Sequence, residues 1–308
     1  MCYDDTFVHI RSENFYGQYS RSRNGEYTVA WRDSAPNGRT GGFRYSGEGD
    51  YILLRAGRAL SRGRLQRPND GRVADNGAFV LNDWMFGDGL KGTFCAFDQS
   101  GELILKKRFK ANLEKSGISR DGSFAACQTL GSDNEDGNLL TLFDLSQKRV
   151  VNQWRAESGA ASEYDFDPSS RTISLIYGGG GYEDYPDAKW AYSFDGEFID
   201  RDKWINDKLT WGNFPTLIMT VQDLVRGRES TLESQTCRKL LRSVELAIRK
   251  GADKYPDWHA HALKLAGILH EGLGERREAS VSYREALVLD PKIGVKRRLE
   301  ALMKRGLD

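Results

Sequence analysis

The sequence predicts a two-domain α+β chain, all-β over residues 1–205 and all-α over 216–308, with a linker at 206–215. Three observations predict it. Up to about Trp204, short apolar runs alternate with Gly, Asn and Asp turns, the pattern of a sheet-rich domain. One order of runs and turns recurs, so that Phe97-Asp98, Phe143-Asp144 and Phe194-Asp195 occupy equivalent points, 46 and 51 residues apart. From Phe214 onward, Leu, Ala, Arg, Lys and Glu at helical spacing replace glycine and the β-branched residues.

The clearest β unit comprises residues 117–130, 138–145 and 149–154, enough for three or four strands. Residues 76–81 with 94–105, and 167–177 with 192–199, repeat it; 24–31 with 51–54 is a weaker first copy. These periods match one four-stranded propeller blade each, so about four blades are expected. The units resemble degenerate blades of the WD40 or quinoprotein-like propellers, although the Trp-Asp dipeptide is absent at the strand ends. A ring complete with four blades, a ring that borrows residues 6–10 and an open arc all fit the pattern, and a β-sandwich is the alternative architecture. At each Phe-Asp pair the ring is expected between neighbouring blades and the carboxylate in a turn.

Helices are expected at 216–225 and 229–250, the second with an apolar stripe of Leu240, Leu241, Val244, Ala247 and Ile248, before Gly251 and Pro256 interrupt the chain. Beyond them, Leu263, Ala266, Gly267, His270, Ala279, Tyr283, Ala286 and Pro291 stand at a recognisable spacing. In seven of these eight positions the chain resembles the tetratricopeptide repeat family, with His270 in place of the usual aromatic, over residues 260–293. The resemblance implies two antiparallel helices with small residues at their crossing and Tyr283 filling the gap. Pro291 ends the second helix, because proline lacks the N–H and collides with the preceding turn. The stretch ending at Tyr255-Pro256 resembles the back half of a degraded repeat. Residues 295–304 are expected to form a closing helix with Leu299 and Met303 inward. One repeat buries too little surface to stand alone, so it must lean on flanking helices, the β domain or a second subunit.

Composition bounds the function. The chain is 39% hydrophobic, has no stretch of eighteen apolar residues and starts with no signal-like segment, so a cytoplasmic protein without a membrane partner is expected. Cys2, Cys95, Cys127 and Cys237 form no C-x-x-C pair, which predicts reduced structural thiols and neither a metal site nor a redox motif. The formal charge of +1 conceals segments of +4 (1–72), −8 (73–211) and +5 (212–308), a distribution compatible with internal docking or homo-oligomer contacts.

Candidate functional residues follow from charge and turn chemistry. Arg55, Arg58, Arg62, Arg64, Arg67 and Arg72 put six guanidinium forks in eighteen residues, a candidate seat for an anion or nucleic acid, or else a solvated hairpin face. Asn69 and Asp70, with Asn82, Asp83 and Trp84, are candidates for a propeller mouth, against a plain role in turns and strand ends. The acidic loop 132–138 departs from the calcium-loop template, and Gly178–Gly181 lacks the Lys-Ser/Thr and helix of a phosphate-cradling loop. His9, His259, His261 and His270 show no metal-ligand spacing, and no nucleophile motif appears, so no catalytic residue and no cofactor is expected. The repeat geometry instead makes Lys264, Arg277, Arg284 and Lys296 candidate contacts for a partner protein or peptide. The expected role is a non-enzymatic interaction scaffold, with anion or nucleic-acid binding as the alternative and an enzyme with a site in the propeller mouth as the more remote one.

Overall fold

Alternating apolar runs, cut by turn residues, become four antiparallel meanders in a computed structural model that describes residues 2–3, 6–34, 45–87, 89–178, 188–229 and 231–306. The first sheet runs β1 (Cys2–Tyr3), β2 (Phe7–Ile10), β3 (Phe15–Arg21), β4 (Tyr27–Arg32), β5 (Gly49–Arg55) and β6 (Arg58–Leu65). The second holds β7 (Pro68–Val73), β8 (Phe79–Asp83), β9 (Gly92–Phe97) and β10 (Leu103–Phe109). The third holds β11 (Leu113–Ile118), β12 (Phe124–Thr129), β13 (Leu140–Asp144) and β14 (Arg149–Trp154). The fourth has β15 (Glu163–Asp167), β16 (Thr172–Ile176) and β17 (Lys189–Ser193), with an isolated bridge from Tyr192 to Phe198 where a fourth strand would begin.

The sheets follow one another as blades do. Strand β7 lies against β3 and β4, β11 against β7 and β8, and β15 against β11, so β3, β7, β11 and β15 are the inner strands of a propeller-like domain. Apolar residues on both faces of the middle sheets drive this stacking. Phe79, Leu81, Cys95 and Phe97 meet Val29, Trp31, Tyr51 and Leu53 of the first sheet, while Val80, Phe94 and Ala96 meet Ala125, Cys127 and Phe143 of the third. A further cluster, Leu140, Leu142, Tyr164, Ile173, Leu175 and Phe194, joins the third sheet to the fourth. The three Phe-Asp pairs sit on the third strand of successive sheets or just beyond it. Phe143 stacks on Phe94 at 4.4 Å, and Asp98 and Asp144 each accept turn N–H groups.

Residues 6–10 do not complete the fourth sheet. They contain all of β2, which pairs with β3 through Phe7–Gln18 and Ile10–Phe15 and extends the first sheet at its inner edge. Among the described residues no apolar cluster joins the fourth sheet to the first, and the ion pair of Arg23 and Asp165 at 2.9 Å links them.

Between the first two sheets lies a buried ion pair. Arg67 donates through Nε and Nη2 to the two oxygens of Asp33 at 3.1 and 3.0 Å, with side chains 6% and 1% exposed. Its fork is thus filled by an internal carboxylate.

The helical part consists of α1 (Arg201–Trp211), α2 (Phe214–Val225), α3 (Ser234–Arg249), α4 (Pro256–Leu273), α5 (Arg276–Leu289) and α6 (Lys296–Arg305). The expected linker at 206–215 is instead the end of α1 and the start of α2, with only Gly212 and Asn213 between, and the β unit ends at Asp200 rather than 205. Helix α1 escapes a periodicity reading because it is rich in Asp, Asn and Thr, residues of middling helix propensity, and buries only Trp204, Asp207 and Leu209. Asn213 caps α2 by accepting the Thr216 N–H at 3.0 Å, with Pro215 in the first turn. Helix α3 starts at Ser234, later than the expected 229, and buries Leu240, Val244 and Ala247. In α6, Leu299 packs against the core as expected, but Met303 is 56% exposed and Leu302 is buried instead, because Val295, Leu299 and Leu302 set the buried phase.

Contacts group the chain into two units, one of Met1–Tyr177 with Lys189–Asp200, the other of Gly178–Ala188 with Arg201–Asp308. In the second unit, α4 and α5 form a hairpin around Gly274, whose φ of 78° is the left-handed cap. Tyr283 is fully buried against Gly267, where an added Cβ would lie 2.3 Å from the ring. Ala266, Ala279 and Ala286 are buried as well. The Tyr283 hydroxyl donates to Glu271, which also faces Arg298 of α6 at 3.4 Å, so three helices share one carboxylate.

Gly267→Ala is expected to cost the helical unit about 1–3 kcal/mol through overpacking. Urea unfolding followed by helical circular dichroism measures it, and Gly267→Ala with Tyr283→Leu should recover part of the loss.

Candidate functional site

The turns that follow the inner strands β3, β7 and β11 interlock. They read Arg23-Asn24-Gly25, Asp75-Asn76-Gly77 and Arg120-Asp121-Gly122, and each Gly takes the positive φ (75°, 87° and 76°) that closes the turn. Asn24 donates its backbone N–H to Asp75 Oδ1 at 2.8 Å, the Asp75 N–H goes to the Arg120 carbonyl at 2.9 Å, and Asn76 Nδ2 reaches the Asp121 carbonyl at 2.7 Å. Arg120 Nε adds a 2.6 Å bond to Asp75 Oδ2. This ladder aligns the inner strands at one end.

At that end β3, β7, β11 and β15 enclose a cavity of about 350 Å³. Its charged lining is Arg21, Arg23, Arg72 and Arg120 with Asp75, Glu163 and Asp165. Burial works to raise the Asp75 carboxyl, but the Asn24 N–H, Arg120 and Arg23 outweigh it and hold it below the ordinary carboxylate range. Asp165 behaves alike: burial opposes, while Lys189 at 2.7 Å and Arg23 prevail.

The six-arginine run is not one surface. Arg55 faces Glu26 at 3.3 Å, Arg62 pairs with Glu13, Arg64 with Glu48 at 2.8 Å, and Arg67 is consumed by Asp33. Arg58 is exposed on the outer strand β6 with Arg62 and Arg64, and Arg72 lies at the central cavity.

The mouth candidates stitch strands, Asp70 beside the cavity residue Arg72 on β7 and Asn82 to Trp84 at the far end of β8. Asp70, 2% exposed, accepts both the N–H and the hydroxyl of Ser116 at 2.8 and 2.7 Å and so joins β7 to β11. Asp83 accepts the N–H groups of Gln66, Arg67 and Met85, and Trp84 Nε1 donates to the Leu113 carbonyl at 2.7 Å. Asn82 is fully buried with Nδ2 3.5 Å from the Glu114 carbonyl; its Oδ1 and that of Asn69 have no partner among the described residues.

In the helical unit, Arg277 and Arg284 are exposed on α5, Lys264 donates to the Ile293 carbonyl at 3.1 Å, and Lys296 is exposed in the first turn of α6. Burial and then Lys264 lower the His261 pKa, while His270 Nδ1 lies 2.7 Å from Glu275. The acidic loop 132–138 is a strand connection, with Asn134 and Asp136 bonded to the Lys110 backbone at 2.7 Å each. Residues 179–187, with most of the glycine-rich loop, lie outside the described residues. Cys95, Cys127 and Cys237 are free and buried, and burial pushes the Cys95 thiol up to about 12.

Sequence reading passed over Arg23, Asp75, Arg120 and Asp165. A signal existed: the first three occupy related places in the repeated turn, two residues or fewer before its Gly, and aligning the blades by that Gly would have exposed them.

No protein-family model and no curated protein matches the chain. Among solved structures it resembles Hsv2 of Kluyvelomyces marxianus, with TM-score 0.36 and 8% identity over 56% of this chain and 45% of that one. It also resembles a Kuenenia stuttgartiensis hydrazine synthase, with TM-score 0.37 and 12% identity over 57% and 45%. The chain thus spans less than half the length of either. At such scores the likeness speaks to no ligand, partner or reaction. No helix among the described residues is long and apolar enough to cross a membrane.

Asp75, Asp98, Asp121, Asp165 and Asp167 are all held below the ordinary carboxylate range, Asp167 at about 2. Depressed folded-state values mean that this stabilisation is present above about pH 4 and lost as pH falls through the folded values. Thermal unfolding followed by tryptophan fluorescence should therefore drop steadily from about pH 4 toward pH 2, with a shallower slope in Asp75→Asn, whose carboxylate takes the Asn24 and Arg120 bonds; an unchanged slope in that variant would refute the turn ladder's role.

Proposed function

We propose that the chain is a non-catalytic interaction module whose helical unit holds a partner protein segment. The observation that carries this reading is a stripe on α5: Arg277, Val281, Arg284 and Val288 recur at i, i+4, i+7 and i+11, hence on one helix face. Val288 is 83% exposed, Val281 is also exposed, and neither arginine has an acidic partner among the described residues. Glu278 and Glu285 stand about 100° round the helix, leaving the stripe basic and apolar. An amphipathic helix with acidic residues beside its apolar ones complements it.

In this reading α4 and α5 are a tetratricopeptide-type hairpin, and α2 and α3 are its degraded predecessor. What supports it is the seating of Tyr283 on Gly267 between buried alanines. Lys264 and Lys296 flank the connection from α5 to α6 and serve as secondary contacts. Three free, buried thiols fit a reducing, cytoplasmic setting.

A second reading, polyanion binding, has one observation in its favour. The outer strands β6 and β10 contain no acid and carry Arg58, Arg62, Arg64, Lys106, Lys107 and Arg108.

Fluorescence anisotropy with a helical peptide bearing Leu at i and i+4 and Glu between them tests the first reading. Arg277→Glu with Arg284→Glu is expected to weaken binding about tenfold or more, a loss of about 1.4 kcal/mol, without moving the unfolding midpoint. Equal binding by the variant would overturn it. Duplex DNA in the same assay tests the second, which requires affinity to fall with salt at a logarithmic slope of about 0.9 per phosphate contacted.

A further inference from the structure

We propose that the cavity at the turn end of the four inner strands binds a small oxyanion, a phosphate or carboxylate carried on a small molecule, through Arg23, Arg72 and Arg120. The site lies within the β unit and is separate from the α5 stripe.

Three observations converge. The cavity holds about 350 Å³ and is walled by all four blades. That volume falls in the range of about 300–1,000 Å³ typical of small-molecule clefts. Its guanidinium groups are held by the protein yet mostly unspent. Arg23 uses Nη2 on Asp165 at 2.9 Å, and Arg120 uses Nε on Asp75 at 2.6 Å. Arg72 uses Nη1 on Asp70 at 3.2 Å and on the Gly71 carbonyl at 2.8 Å. A guanidinium has five N–H donors in a planar fork, so each arginine is anchored at one edge and keeps donors for a second acceptor. That arrangement orients a fork before a ligand arrives, which is what bidentate recognition of an oxyanion requires. Finally, two walls of the cavity meet in direct contact: Gly117 of β11 has no side chain, and an added Cβ would lie 2.8 Å from Tyr164 of β15.

Charge favours an anion over a cation. Asp75 and Asp165 are already engaged by arginine or lysine, which leaves Glu163 as the one lining acid without such a partner among the described residues. Arg21 adds a fourth cation, its guanidinium bonded to the Gly25 carbonyl at 3.3 Å and resting over Tyr3.

Thermal unfolding of the full chain in sodium phosphate, sodium citrate and sodium chloride at matched ionic strength tests the site. Phosphate and citrate also stabilise proteins by exclusion from their surfaces, so the readout is the shift in excess of that in sodium chloride, compared between the chain and its variants. The expected result is an excess shift in phosphate or in citrate, the two arms separating a phosphoryl ligand from a carboxylate. Arg23→Gln and Arg72→Gln should each cut it by at least half, and Arg226→Gln in the helical unit should leave it intact. If a glutamine variant does not fold, Arg23→Lys and Arg72→Lys, which keep the charge and lose the fork, are expected to lower the shift as well. Equal shifts in all three salts, or an excess that survives the cavity variants, would overturn the proposal.

Discussion

The β unit depends on one constraint: its two middle sheets are apolar on both faces. The second sheet turns Phe79, Leu81, Cys95 and Phe97 one way and Val80, Phe94 and Ala96 the other. Leaving either face in water would forfeit about 1.5–3 kcal/mol for each large side chain. A meander of this composition must therefore be sandwiched between neighbours, and the neighbours nearest in sequence are the next meanders. Sequential stacking then gathers β3, β7, β11 and β15 along one axis, and the cavity and its ring of turns follow from that gathering.

Apolar stacking alone does not choose a register, and polar bonds between blades supply it. Asp33 receives Arg67 across the first boundary, Asp70 receives Ser116 across the second, and Asp75 ties the Asn24 turn to Arg120. A buried ion pair adds little net stability over an apolar equivalent, because desolvation offsets its attraction, but breaking one partner leaves a stranded charge. Such bonds exclude slipped arrangements more than they strengthen the correct one. Two of these acids, Asp70 and Asp75, also anchor Arg72 and Arg120 of the cavity at one edge, so architecture and candidate site use common residues.

The repeat was legible because it rests on spacing. Phe97, Phe143 and Phe194 recur in blade-length steps and each fills the core toward the preceding sheet, and the small residues facing Tyr283 announce a close helix crossing. What escaped was set by partners distant in sequence. Six arginines close together in the chain do not share one surface: Arg58, Arg62 and Arg64 stay together on the outer strand β6, Arg67 is taken up by Asp33 thirty-four residues away, and Arg72 lies at the cavity. Helix α1 lacks an apolar stripe, and β2 turned inward because its pairing with β3 is local, whereas completing the fourth sheet would have required a distant contact.

The most direct measurement is native-state hydrogen exchange on Phe94→Ala. Phe94 stacks on Phe143 across the boundary between the second and third sheets, and its truncation should cost about 3–5 kcal/mol. If stacking on both faces holds the unit together, the amides of β8, β9, β12 and β13 should lose protection by the same amount. Loss confined to β8 and β9, with β12 and β13 unchanged, would contradict the account.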